Sequence, residues 1–224
     1  NFISTLSSCG ATIYYFSTRP LGANLSNYDM LLMLEPYTTS ADPWLSNSTI
    51  RDYVTKWGGK LLFIGDYLPM IPKPDNTNPY FGYNYYTKAF GVTWQDTVGG
   101  GYSTNITSHL ITTKVDTLYF GGPLGSLITG TGATTIARDP VFPGVDVFTS
   151  GNGKVVVISD DDVLDNNYLI DLQPLYPSDN LRLGLNVIAW FAGIDPTIFD
   201  QKLTVEIHDI GVGVMYPICV VNST

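Results

Sequence analysis

Residues 151–191, GNGKVVVISDDDVLDNNYLIDLQPLYPSDNLRLGLNVIAWF, constrain the fold more than any other stretch. A Gly-Asn-Gly turn leads into the apolar run KVVVI, an acidic segment follows, and a helix-length pattern closes the stretch. An unbroken run of β-branched residues suits a strand buried on both faces. The closing pattern places Leu181, Leu185, Ile188, Ala189 and Phe191 on one side, as an amphipathic helix does. Ser178, Asp179 or Asn180 can cap it, and Gly193 with Pro196 beyond can stop it. In an open α/β sheet, the loop that leaves the carboxyl end of such a strand is where ligands bind.

The same alternation occurs earlier in the chain. YDMLLMLEP is an apolar run of strand length ended by Pro36. Ser46 or Ser48 can then cap a helix carrying Ile50, Tyr53, Val54 and Trp57, which Gly58-Gly59 stops before the strand KLLFIGDY. Strand, helix, strand in that order is the βαβ unit, so the fold class is α/β. LPMIPKPDNTNP reads as a surface loop and YFGYNYYTKAFG as a short helix. From Asp96 to Pro143 short alternating runs broken by glycine predict small antiparallel strands, and VDVFTSGNGKVVVIS predicts a hairpin. Residues 1–9 read as a short helix, ATIYYF as a strand, and KLTVEIHDI and GVGVMYPICVV as further strands.

Composition narrows the function classes. A chain of 224 residues can bury a sizeable core, but only 14% of its residues are charged and its formal net charge is -9. No basic run offers counterion release, which excludes a phosphate backbone as partner. No apolar run reaches the ~18 residues that span a bilayer. Cys9 and Cys219 fit neither a CxxC metal site nor a dense disulfide framework, and leave a terminal disulfide or two buried thiols open. Four N-x-S/T sequons, at Asn24, Asn47, Asn105 and Asn222, together with the low charge, lead to the expectation of an extracellular or cell-surface glycoprotein.

The ordered set LSNYDMLLMLEP, IRDYVTKWGGKLLFIGDY, GNGKVVVISDDDVLDNN and DNLRLGLNVIAWF resembles the class I glutamine-amidotransferase-like fold. It is most similar to the non-catalytic branch found in auxiliary proteins of ABC-type gliding and transport systems and beside the protease domain of site-1-type subtilases. The resemblance implies a flavodoxin-like, mostly parallel sheet with helices on both faces. It also implies a domain over residues 1–195 that lacks its first strand, as a fragment of a longer secreted protein would. Residues 96–143 would be a β-rich insertion or edge, and residues 196–224 a β extension or the start of another domain.

Active members of that fold carry a Cys on the turn after the strand that here reads LLFIGDY, and a His and a Glu after the strand that here reads VVVIS. Asp66 and Tyr67 stand at the first place, Asp160, Asp161 and Asp162 at the second, so a Cys-His-Glu hydrolase is excluded. His109 and His208 sit in strand-like contexts and read as hydrogen-bonded structural residues. GPLGSLITG is not a nucleophile elbow, and no glycine-rich run joins a strand to a capped helix as a phosphate cradle requires.

Asp160, Asp161, Asp162, Asp165 and Asn166 leave two roles open. Either Asp161 or Asp162 caps a short helix while the others are solvated, or oxygens of Asp160, Asp162 and Asp165 hold a hard cation such as Ca²⁺. The capping role is favoured, so no cofactor is expected. Asp66 leaves a neighbouring strand at the same edge and should share the pocket. The expected function is a non-catalytic binding or scaffold domain of a secreted or surface protein. Its partners would be other protein segments or subunits, and it could be accessory to a subtilisin-like protease. The alternative is a hydrolase that uses Asp66 with Asp160 on a glycan or similar substrate.

Overall fold

The computed structural model describes residues 25–34, 46–66, 81–164 and 178–197. A five-stranded sheet forms the centre. Strands β1 (Met30–Leu34), β2 (Lys60–Ile64) and β7 (Gly153–Ile158) run parallel. Strand β6 (Pro143–Ser150) is antiparallel to β7, and β5 (Ala133–Arg138) is antiparallel to β6, giving the spatial order β1-β2-β7-β6-β5. Two further strands, β3 (Val92–Ser103) and β4 (Leu118–Thr129), pair antiparallel as a separate ribbon. Helix α1 (Asn47–Thr55) joins β1 to β2, α2 (Phe81–Thr87) precedes β3, and α3 (Asn180–Ala192) follows β7.

The apolar runs behave as strands buried on both faces because side chains alternate across the sheet. Leu61, Phe63, Val155 and Val157 point to one side, where Ile50, Tyr53 and Val54 of α1 pack with Tyr83 and Tyr86 of α2 and with Trp94 of β3. Leu62, Ile64, Val156 and Ile158 point to the other side, against Leu183, Val187 and Trp190 of α3 and Leu118 and Phe120 of β4. The register Leu62 to Val156 and Phe63 to Val157 keeps both sets aligned, and a slip of one residue would exchange the two cores.

Ser46 caps α1, accepting a hydrogen bond from the Thr49 amide at 3.0 Å. The predicted cap of α3 is used differently. Asp179 makes no side-chain bond to its own helix; its carboxylate accepts from the Asp116 and Thr117 amides at 2.8 and 2.9 Å. Asn180 brackets Tyr119, accepting from its amide at 3.0 Å and donating to its carbonyl at 2.8 Å. The start of α3 thus holds the start of β4 in place. Gly193 ends α3 in the left-handed conformation, with φ 73°.

The expected flavodoxin-like class with a mostly parallel sheet is corrected: the sheet is mixed, although helices pack on both of its faces as expected. Strand β6 runs against the parallel part and β5 against β6, and the connection from α2 to β7 is built of strands, with only 3-10 turns at Lys88–Phe90 and Leu110–Thr112. The physical reason lies in residues 92–150, where alternation and glycine replace any sustained helical period. The ribbon strands are also longer than the short runs predicted, 12 residues each, because register shifts at Gly99 and Gly101 let β3 bend without stopping. Gly100 and Gly101 adopt φ of 125° and 108°, which only glycine does readily. The helix predicted over residues 1–9, the strand ATIYYF, the β extension from residue 198 onward, Cys9, Cys219 and His208 lie outside the described residues.

Candidate functional site

Parallel pairing sets the site. Ile64 and Ile158 are register partners at the carboxyl ends of β2 and β7, and the Gly65 amide continues the ladder to the Ile158 carbonyl at 3.1 Å. Asp66 and Asp160 therefore emerge side by side. Carboxylate oxygens of Asp66, Asp160 and Asp161 lie within 4.8 Å of one another. Among the described residues that group holds no His or Cys.

Asp160 is only 1% exposed. One oxygen accepts from the Gly121 amide at 2.5 Å, and the other from the Asp162 amide at 3.3 Å. Burial, then the charge of Asp162, then that of Asp161, push its carboxyl up to about 8, against the opposing pull of the two amide bonds. At neutral pH the acid form predominates, so the group stores a proton among its acidic neighbours. The ribbon makes this burial possible, because β4 lies over the segment after β7. A Cβ on Gly121 would stand 1.7 Å from Oδ2 of Asp162, so glycine is the one residue that lets the backbone approach.

Of the predicted site residues, Asp66, Asp160 and Asp161 are brought together, and Asp162 turns toward Gly121 instead. Tyr67, Asp165 and Asn166 lie outside the described residues. Three carboxylates fit the oxygen chemistry of a hard cation, but Ca²⁺ takes 6–8 ligands and the buried oxygens of Asp160 already accept amide bonds. Residues 161–164 form a 3-10 turn, and the Asp160 side chain accepts the Asp162 amide at its start.

Two further buried carboxyls escaped the sequence reading. Asp139, fully buried, accepts from the Val141 and Phe142 amides at 2.7 and 2.5 Å, and a Cβ on Gly99 would meet its Oδ2 at 2.0 Å. Asp146 accepts from the Thr129 hydroxyl at 2.9 and 2.7 Å, and burial raises its carboxyl above the ordinary range. The Asp-Pro pair at 139–140 is a turn signal that could have pointed to the first. Nothing local marks the second, since its partner lies on another strand.

His109 is a hydrogen-bonded structural residue as expected, but it caps the 3-10 turn at Leu110–Thr112 rather than lying in a strand. Its Nδ1 accepts from the Ile111 amide at 3.1 Å, while the Thr112 hydroxyl accepts from the His109 amide at 2.9 Å. The ring stands edge-on to Trp190, and burial lowers its pKa. Asn186 of α3 fixes the same turn by donating to the Ile111 and Thr113 carbonyls at 2.9 and 2.8 Å. Of the sequons, Asn105 is exposed, whereas the Asn47 side-chain amide donates to the Tyr85 carbonyl at 2.6 Å, a bond that a glycan would disturb. Asn24 and Asn222 lie outside the described residues.

No protein family and no curated protein matches the chain. Solved structures do. The cytoplasmic protein STM1381 of Salmonella typhimurium LT2 is 17% identical over 87% of this chain and 86% of its own, with a TM-score of 0.55. The N-terminal domain of mmIFT52 is 12% identical over 85% of this chain and 92% of that one, with a TM-score of 0.58. A β-galactosidase from Bacillus circulans sp. alkalophilus is 13% identical over 79% of this chain but only 24% of its own, with a TM-score of 0.50. Identities this low show a shared fold and nothing more.

These likenesses correct two expectations. The structures similar to this chain include the Salmonella proteins and the mmIFT52 domain, so the resemblance to a non-catalytic glutamine-amidotransferase-like or subtilase-associated domain is withdrawn. Two chains of the shared fold are described as cytoplasmic, so the extracellular, cell-surface glycoprotein expectation is withdrawn as well. The low charge and sequons that suggested it are surface composition, which the fold does not tie to export. No described helix is long and apolar enough to cross a membrane.

Proposed function

We propose that this chain is a non-catalytic binding or scaffold domain whose partners are other protein segments or subunits. The observation that carries the reading is the state of Asp160. A carboxyl that is 1% exposed, with both oxygens accepting backbone amides, braces the ribbon against the sheet and offers no oxygen to a substrate. A glycosidase acid or nucleophile must reach the scissile bond. The fold's occurrence as the N-terminal domain of mmIFT52, and over a quarter of a β-galactosidase, supports its use as one module of a larger chain.

Turnover of a panel of aryl glycosides by the purified protein, alongside Asp66→Asn and Asp160→Asn, tests this. The scaffold reading expects no turnover and a change in stability for Asp160→Asn. Hydrolysis that either substitution abolishes would establish the carboxylate hydrolase in its place.

A further inference from the structure

At the opposite end of β7 from the carboxylate cluster, the hairpin between β6 and β7 turns through Gly151 and Asn152. Ser150 and Gly153 are register partners, so these two residues are the whole loop. Gly151 has φ 59° whereas Asn152 does not enter positive φ, which makes the turn type II′. The tip is seated on the turn that follows α1. A Cβ on Gly58, which has φ 73°, would stand 3.1 Å from the Cβ of Asn152, and the Lys154 amide donates to the Gly59 carbonyl at 3.2 Å. Beyond these contacts the pair Lys60 and Lys154 begins the ladder between β2 and β7.

Residue 153 has no choice of side chain. A Cβ there would meet the Val54 carbonyl oxygen at 2.0 Å, and that oxygen is helix backbone. Packing thus forces glycine to follow an exposed asparagine, in the one Asn-Gly pair of the sequence. Such a pair is labile, because no side chain shields the glycine nitrogen and its permissive backbone lets it swing onto the preceding side chain. The Gly153 nitrogen, after losing its proton to solvent base, bonds to Cγ of Asn152, and the side-chain nitrogen leaves as ammonia with a proton taken from water. Water then opens the resulting succinimide at either carbonyl. One opening gives aspartate; the other gives isoaspartate, whose main chain runs through the former side chain and is one carbon longer. Gly153 is a ladder residue, so the reaction draws on brief openings of the tip. Other asparagines lack this arrangement. Asn105 is exposed, but the branched Ile106 follows it, and the side-chain amides of Asn84 and Asn186 are held by backbone partners.

We propose that Asn152 and Gly153 form a site of spontaneous succinimide formation, and that the isoaspartyl product unseats the hairpin tip from the Gly58-Gly59 turn. A lengthened main chain cannot keep Asn152 against Gly58, Gly153 beneath Val54 and the Lys154 amide on Gly59 together. The site is independent of the scaffold reading, since it uses neither Asp66 nor Asp160.

The test holds the full chain at physiological temperature, at neutral and at mildly alkaline pH, and maps it by peptide mass spectrometry, with isoaspartate scored by enzymatic methyl esterification. Conversion is expected at Asn152 ahead of Asn84, Asn105 and Asn186, and faster at the higher pH, since the attacking nitrogen must lose a proton. Each conversion adds one negative charge, so ion exchange separates the product from the parent of net charge -9. The isoaspartyl fraction is expected to show faster amide exchange than the parent at residues 58–60 and 153–155. Freshly purified Asn152→Asp, which has the charge without the added carbon, is expected to keep the parent's exchange there. The proposal is overturned if Asn105 converts as fast as Asn152, or if Asn152 stays intact while an unstructured peptide of the same sequence reacts fully. It is overturned equally if the isoaspartyl fraction exchanges like the parent, or if Asn152→Asp loosens the tip as much.

Discussion

Asp160 concentrates the residue-scale physics of this protein. Its folded-state pKa of about 8 lies above the ordinary value of 3.8, so the folded state binds a proton that the unfolded state releases. The stability this provides is fully present below about pH 4 and is lost as pH rises toward 8. Chemical denaturation of the parent and of Asp160→Asn across that window checks it: the variant gains stability relative to the parent as pH rises. A difference independent of pH would mean that the carboxyl ionises normally. Gly121 offers a second test, because a methyl group there drives into Asp162. Gly121→Ala is expected to cost about 3 kcal/mol, read as a fall in the denaturation midpoint without a change in slope. The sequence placed Asp66 and Asp160 at one edge because both follow apolar strand runs. It could not show Gly121 as the partner of Asp160, since the two stand 39 positions apart and no periodicity pairs them.

At the scale of elements, the two helix starts differ in what their polar residues hold. Ser46 serves its own helix, so Ser46→Ala is expected to cost about 1 kcal/mol and to leave the rest of the fold in place. Asp179 serves β4 through two amides, and Asn180 continues the bracket. Asp179→Ala is expected to cost roughly 2 kcal/mol and, unlike Ser46→Ala, to raise amide exchange in residues 116–119. Equal exchange in the two variants would refute the bracket. Helix α3 was legible from its apolar period and Gly193. The job of its first two residues was not, because capping and tertiary bonding call on the same side chains.

For the whole molecule, β2 and β7 sit between both cores and carry pairs on both edges, whereas β1 and β5 end the sheet among the described strands. Native-state hydrogen exchange should therefore be slowest for the interior amides of β2 and β7 and measurably faster in β5. Protection centred on the ribbon instead would place the stable core elsewhere.

The sequence by itself determined the strands MLLML, KLLFI and KVVVI, the helices between and after them, and the parallel pairing that puts Asp66 beside Asp160. Each of these follows from local periodicity and stop signals, which are written within about 20 residues. The hairpin of β6 and β7 was legible too, in its Gly-Asn-Gly turn. Only the tertiary structure decided that this hairpin and β5 join the parallel strands in one sheet, that β3 and β4 form long bulged strands over the carboxyl edge, and that Asp160 is sealed beneath them. Those outcomes depend on contacts between segments far apart in the chain, where a glycine's value is the space it leaves for another segment's carboxylate. No local pattern encodes that space.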